Sequence, residues 1–237
     1  MVRAKVHSSR ATVAFVGLVA LFAVTLAACG EPAYTYVTNS GAHTYFKVPR
    51  SFHQVSQEDL GDPFSGSDPD SASRQLERRL IWSVGFDANP QPAAEHLYAT
   101  SNQPFVYSSV RPLTPEQQGT VSFDLLRNLI LPVSVLRLPP TDVRRIQAEQ
   151  QGYNADSFEL LRDETLTPGR GVRGVRVVYN YQSQLSAVLD TFDLTAYVND
   201  DASRMYFLLI RCSARCYRQR LAELDGIATS FTVRSGV

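Results

Sequence analysis

The spacing of apolar residues predicts an α+β fold, a mostly antiparallel sheet flanked by helices. Three observations carry that reading. Ser157–Leu166, Val175–Tyr181, Thr191–Val198 and Met205–Ile210 are strand patterns joined by short polar links, which suits an antiparallel meander. Thr114-Pro115-Glu116-Gln117 has the residues of a capping box, with proline at the first helical position. Tyr217, Leu221, Leu224 and Ala228 then recur at helical spacing directly after the meander.

Taken in order, the first strand is Thr44–Val48, stopped by Pro49. Residues 56–73 are rich in Asp, Ser, Gly and Pro and read as a loop. A short helix precedes the strand Leu80–Phe86, which holds the one tryptophan, Trp82. After a proline-containing turn come His96–Ala99 and the strand Pro104–Val110. The helix opened by Thr114 is expected to bury Val121, Leu125, Leu126 and Leu129 and to stop before Pro132. A second runs from Asp142 to Gln151 and ends at Gly152. In the meander Val175, Val177, Tyr179 and Tyr181 share one face. Phe192, Leu194, Ala196 and Val198 alternate with Thr191, Asp193, Thr195 and Tyr197, the pattern of a half-buried strand. Met205–Ile210 is apolar on both faces, as a central strand requires. The links are Gln182–Ala187 and Asn199–Ser203; the last helix starts at Ser213, and Ile227–Val233 gives a closing strand.

The N-terminus has a different character. Arg3, Lys5 and Arg10 precede an apolar run from Ala11 to Ala28, and Leu26-Ala27-Ala28-Cys29 is followed by Gly30. This resembles the lipobox of a bacterial lipoprotein signal peptide. The resemblance implies cleavage after Ala28 and acylation of Cys29 with chains such as palmitate. Two buried chains hold a protein at a membrane where one barely does. An uncleaved membrane helix or an ordinary secretion signal are the alternatives, and all three place the remaining chain on the extracytoplasmic side. The expected organisation is a signal peptide over residues 1–28, a lipidated N-terminus and flexible spacer over 29–42, and a single α+β domain over 43–235.

Removing Arg3, Lys5 and Arg10 leaves 20 Lys+Arg against 23 Asp+Glu, a balance of −3. That speaks against nucleic acid as a partner and against a general electrostatic grip on anionic lipid. Lys47 is the one lysine after Cys29, an arginine bias that suits a high-GC genome such as an actinobacterial one. Cys212 and Cys216 remain once Cys29 carries lipid. In an oxidising compartment their spacing fits a local structural disulfide; two free thiols are the alternative, and the spacing is wrong for a redox C-x-x-C.

Two stretches resemble a known family. Tyr45-Phe46-Lys47-Val48-Pro49-Arg50-Ser51-Phe52 is similar to the opening of PsbP-like domains. Leu224-Asp225-Gly226-Ile227-Ala228-Thr229-Ser230-Phe231-Thr232-Val233 is similar to their closing helix and strand. Actinobacterial lipoproteins of the LpqN type carry such a domain behind a lipobox. The resemblance covers roughly residues 43–235 and implies an α/β/α sandwich. It implies an interaction or assembly module and no reaction. The loop at 56–73 and the Cys212/Cys216 pair have no counterpart in it.

No motif in the sequence carries chemistry. His43, His53 and His96 lack metal-binding spacing, although His43 and His53 flank the first strand and could approach each other. There is no G-x-S-x-G, and a Ser-Lys mechanism would rest on Lys47 alone. Gly169-Arg170-Gly171 reads as a turn. Asp62, Asp68 and Asp70 offer oxygen ligands for Ca²⁺, but in the spacing of no known calcium loop. Of Arg170, Arg173 and Arg176, the first and last share a strand face and could meet an anionic group; a solvated sheet face is the plainer reading. Eleven tyrosines (Tyr34, Tyr36, Tyr45, Tyr98, Tyr107, Tyr153, Tyr179, Tyr181, Tyr197, Tyr206 and Tyr217) suit either a core or a binding surface.

The sequence therefore points to a monomeric, lipid-anchored binding or assembly module of the cell envelope. No catalytic residue, cofactor or metal is expected, and the partner would be an envelope protein or glycolipid. The alternatives are a carrier of a small apolar or glycolipid ligand, with a deep aromatic pocket between sheet and helices, and an envelope hydrolase. The hydrolase would need one histidine beside a serine and an aspartate.

Overall fold

Two antiparallel sheets and six helices are formed by the described residues of the computed structural model, namely 32–56, 60, 79–169, 171–183 and 186–234. From Tyr34 on they belong to one structural unit, Tyr34–Val237. The small sheet has the order β1-β2-β10, with β1 Tyr34–Asn39, β2 Thr44–Pro49 and β10 Thr232–Val233. The large sheet has the order β3-β4-β5-β9-β8-β7-β6. Its strands are β3 His53–Val55, β4 Trp82–Asp87, β5 Phe105–Pro112, β6 Phe158–Gly169, β7 Val172–Tyr181, β8 Asp190–Asn199 and β9 Arg204–Ser213.

The α+β expectation holds, with a second sheet added. On one face of the large sheet lie α2 Phe123–Arg127, α3 Val133–Leu136 and α4 Asp142–Gln150. Leu126, Val133, Leu136 and Ala148 pack there against Tyr107, Val175, Val177, Tyr179, Leu194 and Phe207. On the other face lie α5 Ala214–Gln219, α6 Leu221–Ser230 and the small sheet. Tyr217, Leu224, Ile227, Ala228, Phe46 and Val48 pack there against Val178, Leu208 and Ile210. The result is the layered α/β/α arrangement that the resemblance implied.

Four expectations are corrected. The residues read as a flexible spacer up to 42 contain β1 and a 3-10 turn, Ser40–Ala42. Tyr34–Asn39 pair in antiparallel register with Pro49–Thr44 of β2, so the folded unit begins at Tyr34 and not at His43. The single helix expected from Thr114 to before Pro132 is two, α1 Pro115–Gln118 and α2, with Leu125 exposed and not in the core; α3 starts only after Pro132. The capping box at Thr114 forms as read, with Gln117 Oε1 accepting from the Thr114 amide at 2.9 Å. The chain then restarts at Ser122, whose hydroxyl accepts from the Leu125 amide at 3.1 Å. The last helix is likewise two, split at Arg220, and Leu221 faces solvent while Ile227 takes its place in the core. Finally, β8 is buried on both faces.

Cys212 and Cys216 form a disulfide with Cα atoms 6.0 Å apart, tying the end of β9 to α5. Met205–Ile210 is the interior of β9, paired with β5 on one side and β8 on the other, as its two-sided apolar pattern required. Gly226, inside α6, has open space where a Cβ would go. Gly226→Ala is therefore expected to raise stability by about 0.5–1 kcal/mol, the helix-propensity difference between the two residues, checked as a higher urea midpoint. An unchanged or lower midpoint would mean that the helix needs a glycine there.

Candidate functional site

The links between strands bring unusual backbone to one place. Four described residues have left-handed backbone: His43 (φ 50°), Ala202 (φ 53°), Gly171 (φ 82°) and Gly152 (φ 81°). Gly152 ends α4, where such a residue is routine. The other three cluster around one rim. His43 and Gly171 line an open cleft of about 490 Å³, and Ala202 sits in the turn between β8 and β9 that forms its wall. Non-glycine residues held at positive φ cost energy and persist where surrounding structure fixes them.

Local hydrogen bonds show how the sequence fixes this turn. Asn199 does most of it. Its Oδ1 accepts from the Arg204 amide at 2.8 Å, and its Nδ2 donates to Ser203 Oγ at 2.9 Å. Asp201 Oδ1 accepts from the Ser203 amide at 3.0 Å. Hydrogen bonds from the Ser203 backbone and side chain hold the Asp201 carboxyl below the usual carboxylate range, and the Arg204 charge adds to this. The turn is also anchored from outside: the Leu113 amide donates to the Ser203 carbonyl at 2.8 Å, and the Asp200 amide to the Gly171 carbonyl at 3.1 Å.

Across the cleft stands the small sheet. Arg204 Nη1 donates to the Gly41 carbonyl at 3.1 Å, and the Arg234 amide donates to the His43 carbonyl at 3.0 Å. Arg204, Arg234, Asp200, Asp201, His43 and Tyr206 thus face one volume. Burial pushes the Tyr206 phenol up, with Arg204 opposing it, so the phenol is a neutral donor at ordinary pH. Two guanidinium groups stand against two carboxylates beside a phenol and an imidazole, a set that suits recognition of a polar, hydroxyl-rich group; these groups contain no evident nucleophile.

The residues singled out from sequence are dispersed. His43 is on the cleft, and His53 is exposed on β3 in the other sheet and is not among the cleft's lining residues. His96 Nδ1 lies 2.6 Å from Asp87 Oδ2. That carboxylate also accepts from the Asn89 and Ala93 amides, so it organises the loop after β4, and among the described residues no serine is a hydrogen-bond partner of His96. Arg176 is not on a solvated face: it is buried and paired with Asp193. Arg173 is half-buried on the opposite face of β7. Lys47 stacks its ammonium over the Tyr34 ring, 4.4 Å from the centroid. Cys29, Asp62, Asp68, Asp70 and Arg170 lie outside the described residues.

Most tyrosines are structural. Tyr107, Tyr179, Tyr181, Tyr197, Tyr206 and Tyr217 are buried, while Tyr34, Tyr36 and Tyr98 are exposed. Sequence reading missed Asn199, Asp201, Arg204 and Arg234 as site residues. The available signal was the Asn-Asp-Asp-Ala-Ser link, which reads as a turn and says nothing of what faces it.

No family model matches the sequence, and no curated protein matches it. Solved structures do. One is the PsbP of the cyanobacterium Synechocystis, 13% identical, with 87% of this chain and 96% of that one covered and a TM-score of 0.44. Another is LpqN, described as involved in cell envelope biogenesis of Mycobacterium tuberculosis, at 13% identity, 85% and 91% coverage and a TM-score of 0.44. A third is the Ran-binding protein Mog1p of Saccharomyces cerevisiae, at 10% identity, 86% and 96% coverage and a TM-score of 0.42.

Proposed function

We propose that this protein is a lipid-anchored binding module on the extracytoplasmic face of a bacterial membrane, with the cleft at the β8–β9 turn as its ligand site. The observation that carries the reading is the convergence of two left-handed residues, His43 and Gly171, with Arg204, Arg234 and Tyr206 on one open volume walled by the turn that holds Ala202. Strained backbone held by a dedicated hydrogen-bond set is the mark of a positioned surface. The ligand would be an envelope protein segment or glycolipid that presents an anionic or hydroxyl-rich group. The anchor is Cys29, by its resemblance to a lipobox cysteine.

The carrier alternative is weakened because the space between the large sheet and α2–α4 is filled. Tyr107, Phe207, Leu126 and Leu136 there are each 1% exposed or less. Against the hydrolase stands the use of Asp87 and His96 in bracing a loop.

Native mass spectrometry tests the site on residues 31–237 recovered from a detergent extract of the source envelope. A mass retained by the wild type and lost by Arg204→Ala supports the cleft. Equal retention by both moves the site elsewhere. The anchor is tested separately by detergent phase partitioning. Cys29→Ala is expected to shift the chain from the detergent to the aqueous phase, and an unchanged distribution would reject acylation at Cys29.

A further inference from the structure

We propose that the outer face of the three-stranded sheet seats on the headgroups of the membrane that holds Cys29. The proposal rests on the lipid anchor described above and adds the surface that touches the bilayer.

The register of β1 against β2 pairs Tyr34 with Pro49, Tyr36 with Lys47 and Thr38 with Tyr45. Residues paired across a ladder share a face, so these six form one surface. The other face of the same strands carries Val37, Phe46 and Val48 and is packed into the core. Tyr36 is 73% exposed and Tyr34 40% exposed, on an edge strand. Two cations lie over the rings of this surface: Lys47 over Tyr34 at 4.4 Å and Arg234 over Tyr45 at 5.4 Å. The strands β1, β2 and β10 contain no aspartate or glutamate. Within a mature chain whose balance is −3, these three strands thus carry one positive and no negative side chain.

Tyrosines with a polar tip and an apolar body, interleaved with cations, match the chemistry of the membrane–water boundary. The covalent chain imposes proximity. Only Gly30–Ala33 separate Cys29 from β1, and five Cα steps span at most about 17 Å. A tether of four residues in place of thirteen keeps the edge strand β1 within that reach of the acylated cysteine.

The test uses the acylated mature protein in phosphatidylcholine/phosphatidylglycerol vesicles whose acyl chains carry bromine. Tyr36→Trp is expected to show blue-shifted emission and about twofold quenching over the Trp82 background. Val143→Trp, on exposed α4 across the large sheet, is expected to stay unquenched. Adding Lys47→Glu and Arg234→Glu to Tyr36→Trp should relieve the quenching at low salt. Unshifted, unquenched emission from vesicle-bound Tyr36→Trp overturns the docking while leaving the anchor intact, as does equal quenching at Val143→Trp. Absence of the diacylglyceryl mass on Cys29 overturns the anchor and the docking with it.

Discussion

Arg176→Ala is expected to cost roughly 3–5 kcal/mol of folding stability, read from urea denaturation, because it leaves a buried carboxylate uncompensated. Arg176 is 4% exposed and Asp193 0%. The guanidinium donates to both oxygens of Asp193, from Nε at 2.9 Å and from Nη2 at 2.7 Å. Its Nη1 reaches Asp225 Oδ1 at 2.8 Å. Tyr217 donates its hydroxyl to Asp193 Oδ2 at 2.7 Å. One charge pair thus joins β7 and β8 to both C-terminal helices. Burial alone would lower the Arg176 pKa, but hydrogen bonds and charges from Asp193 and Asp225 outweigh it and leave it raised. Burial, reinforced by the Asp193 charge, pushes the Tyr217 phenol up. The double change Arg176→Leu with Asp193→Leu is expected to cost less than Arg176→Ala, since no charge is stranded. A loss under about 1 kcal/mol for Arg176→Ala would mean that water reaches Asp193 and the pair is not a structural joint.

The second large effect is expected at Gly174→Ala, about 3 kcal/mol, near the top of the range for overpacking. Gly174 faces Tyr197 across the β7–β8 ladder. A Cβ there would come within 3.0 Å of the Tyr197 Cα and would meet the Ala196 carbonyl oxygen and the Tyr197 ring more closely still. Two of these obstacles are backbone atoms, so no rotamer change relieves them. The missing side chain is what lets the Tyr197 ring lie over β7 and reach Phe231, at 5.6 Å between centroids. Thermal unfolding monitored by circular dichroism checks the effect. A melting temperature within the error of the wild type would show that β7 and β8 can part locally at no cost.

These two positions mark where sequence reading stopped. Alternation placed Val175, Val177, Tyr179 and Tyr181 together, and the structure buries all four. The same alternation assigned Thr191, Asp193 and Thr195 to solvent, whereas all are buried. Periodicity records polarity, not partners, and the partner of Asp193 lies 17 residues away on the next strand. Local capping chemistry was legible at Thr114 but did not reveal that Ser122 starts a new helix. The cleft was illegible for a simpler reason. Its walls come from the 3-10 turn after β1, the start of β7, the β8–β9 turn and the end of β10, and only the topology assembles them.

That topology also dictates an order of assembly. The strands β6 to β9 follow one another as hairpin neighbours, and their closure needs only short loops. By contrast, β5 finds its partner in β9, about a hundred residues later, and β2 finds β10 later still. The first half of the chain therefore has no ladder to the second until residues 204–233 exist. A nascent chain ending before Arg204 has its halves joined by the packing of α2 on β7 and β8 but, among the described residues, by no strand ladder, so the final thirty-odd residues act as the clasp of the sheets.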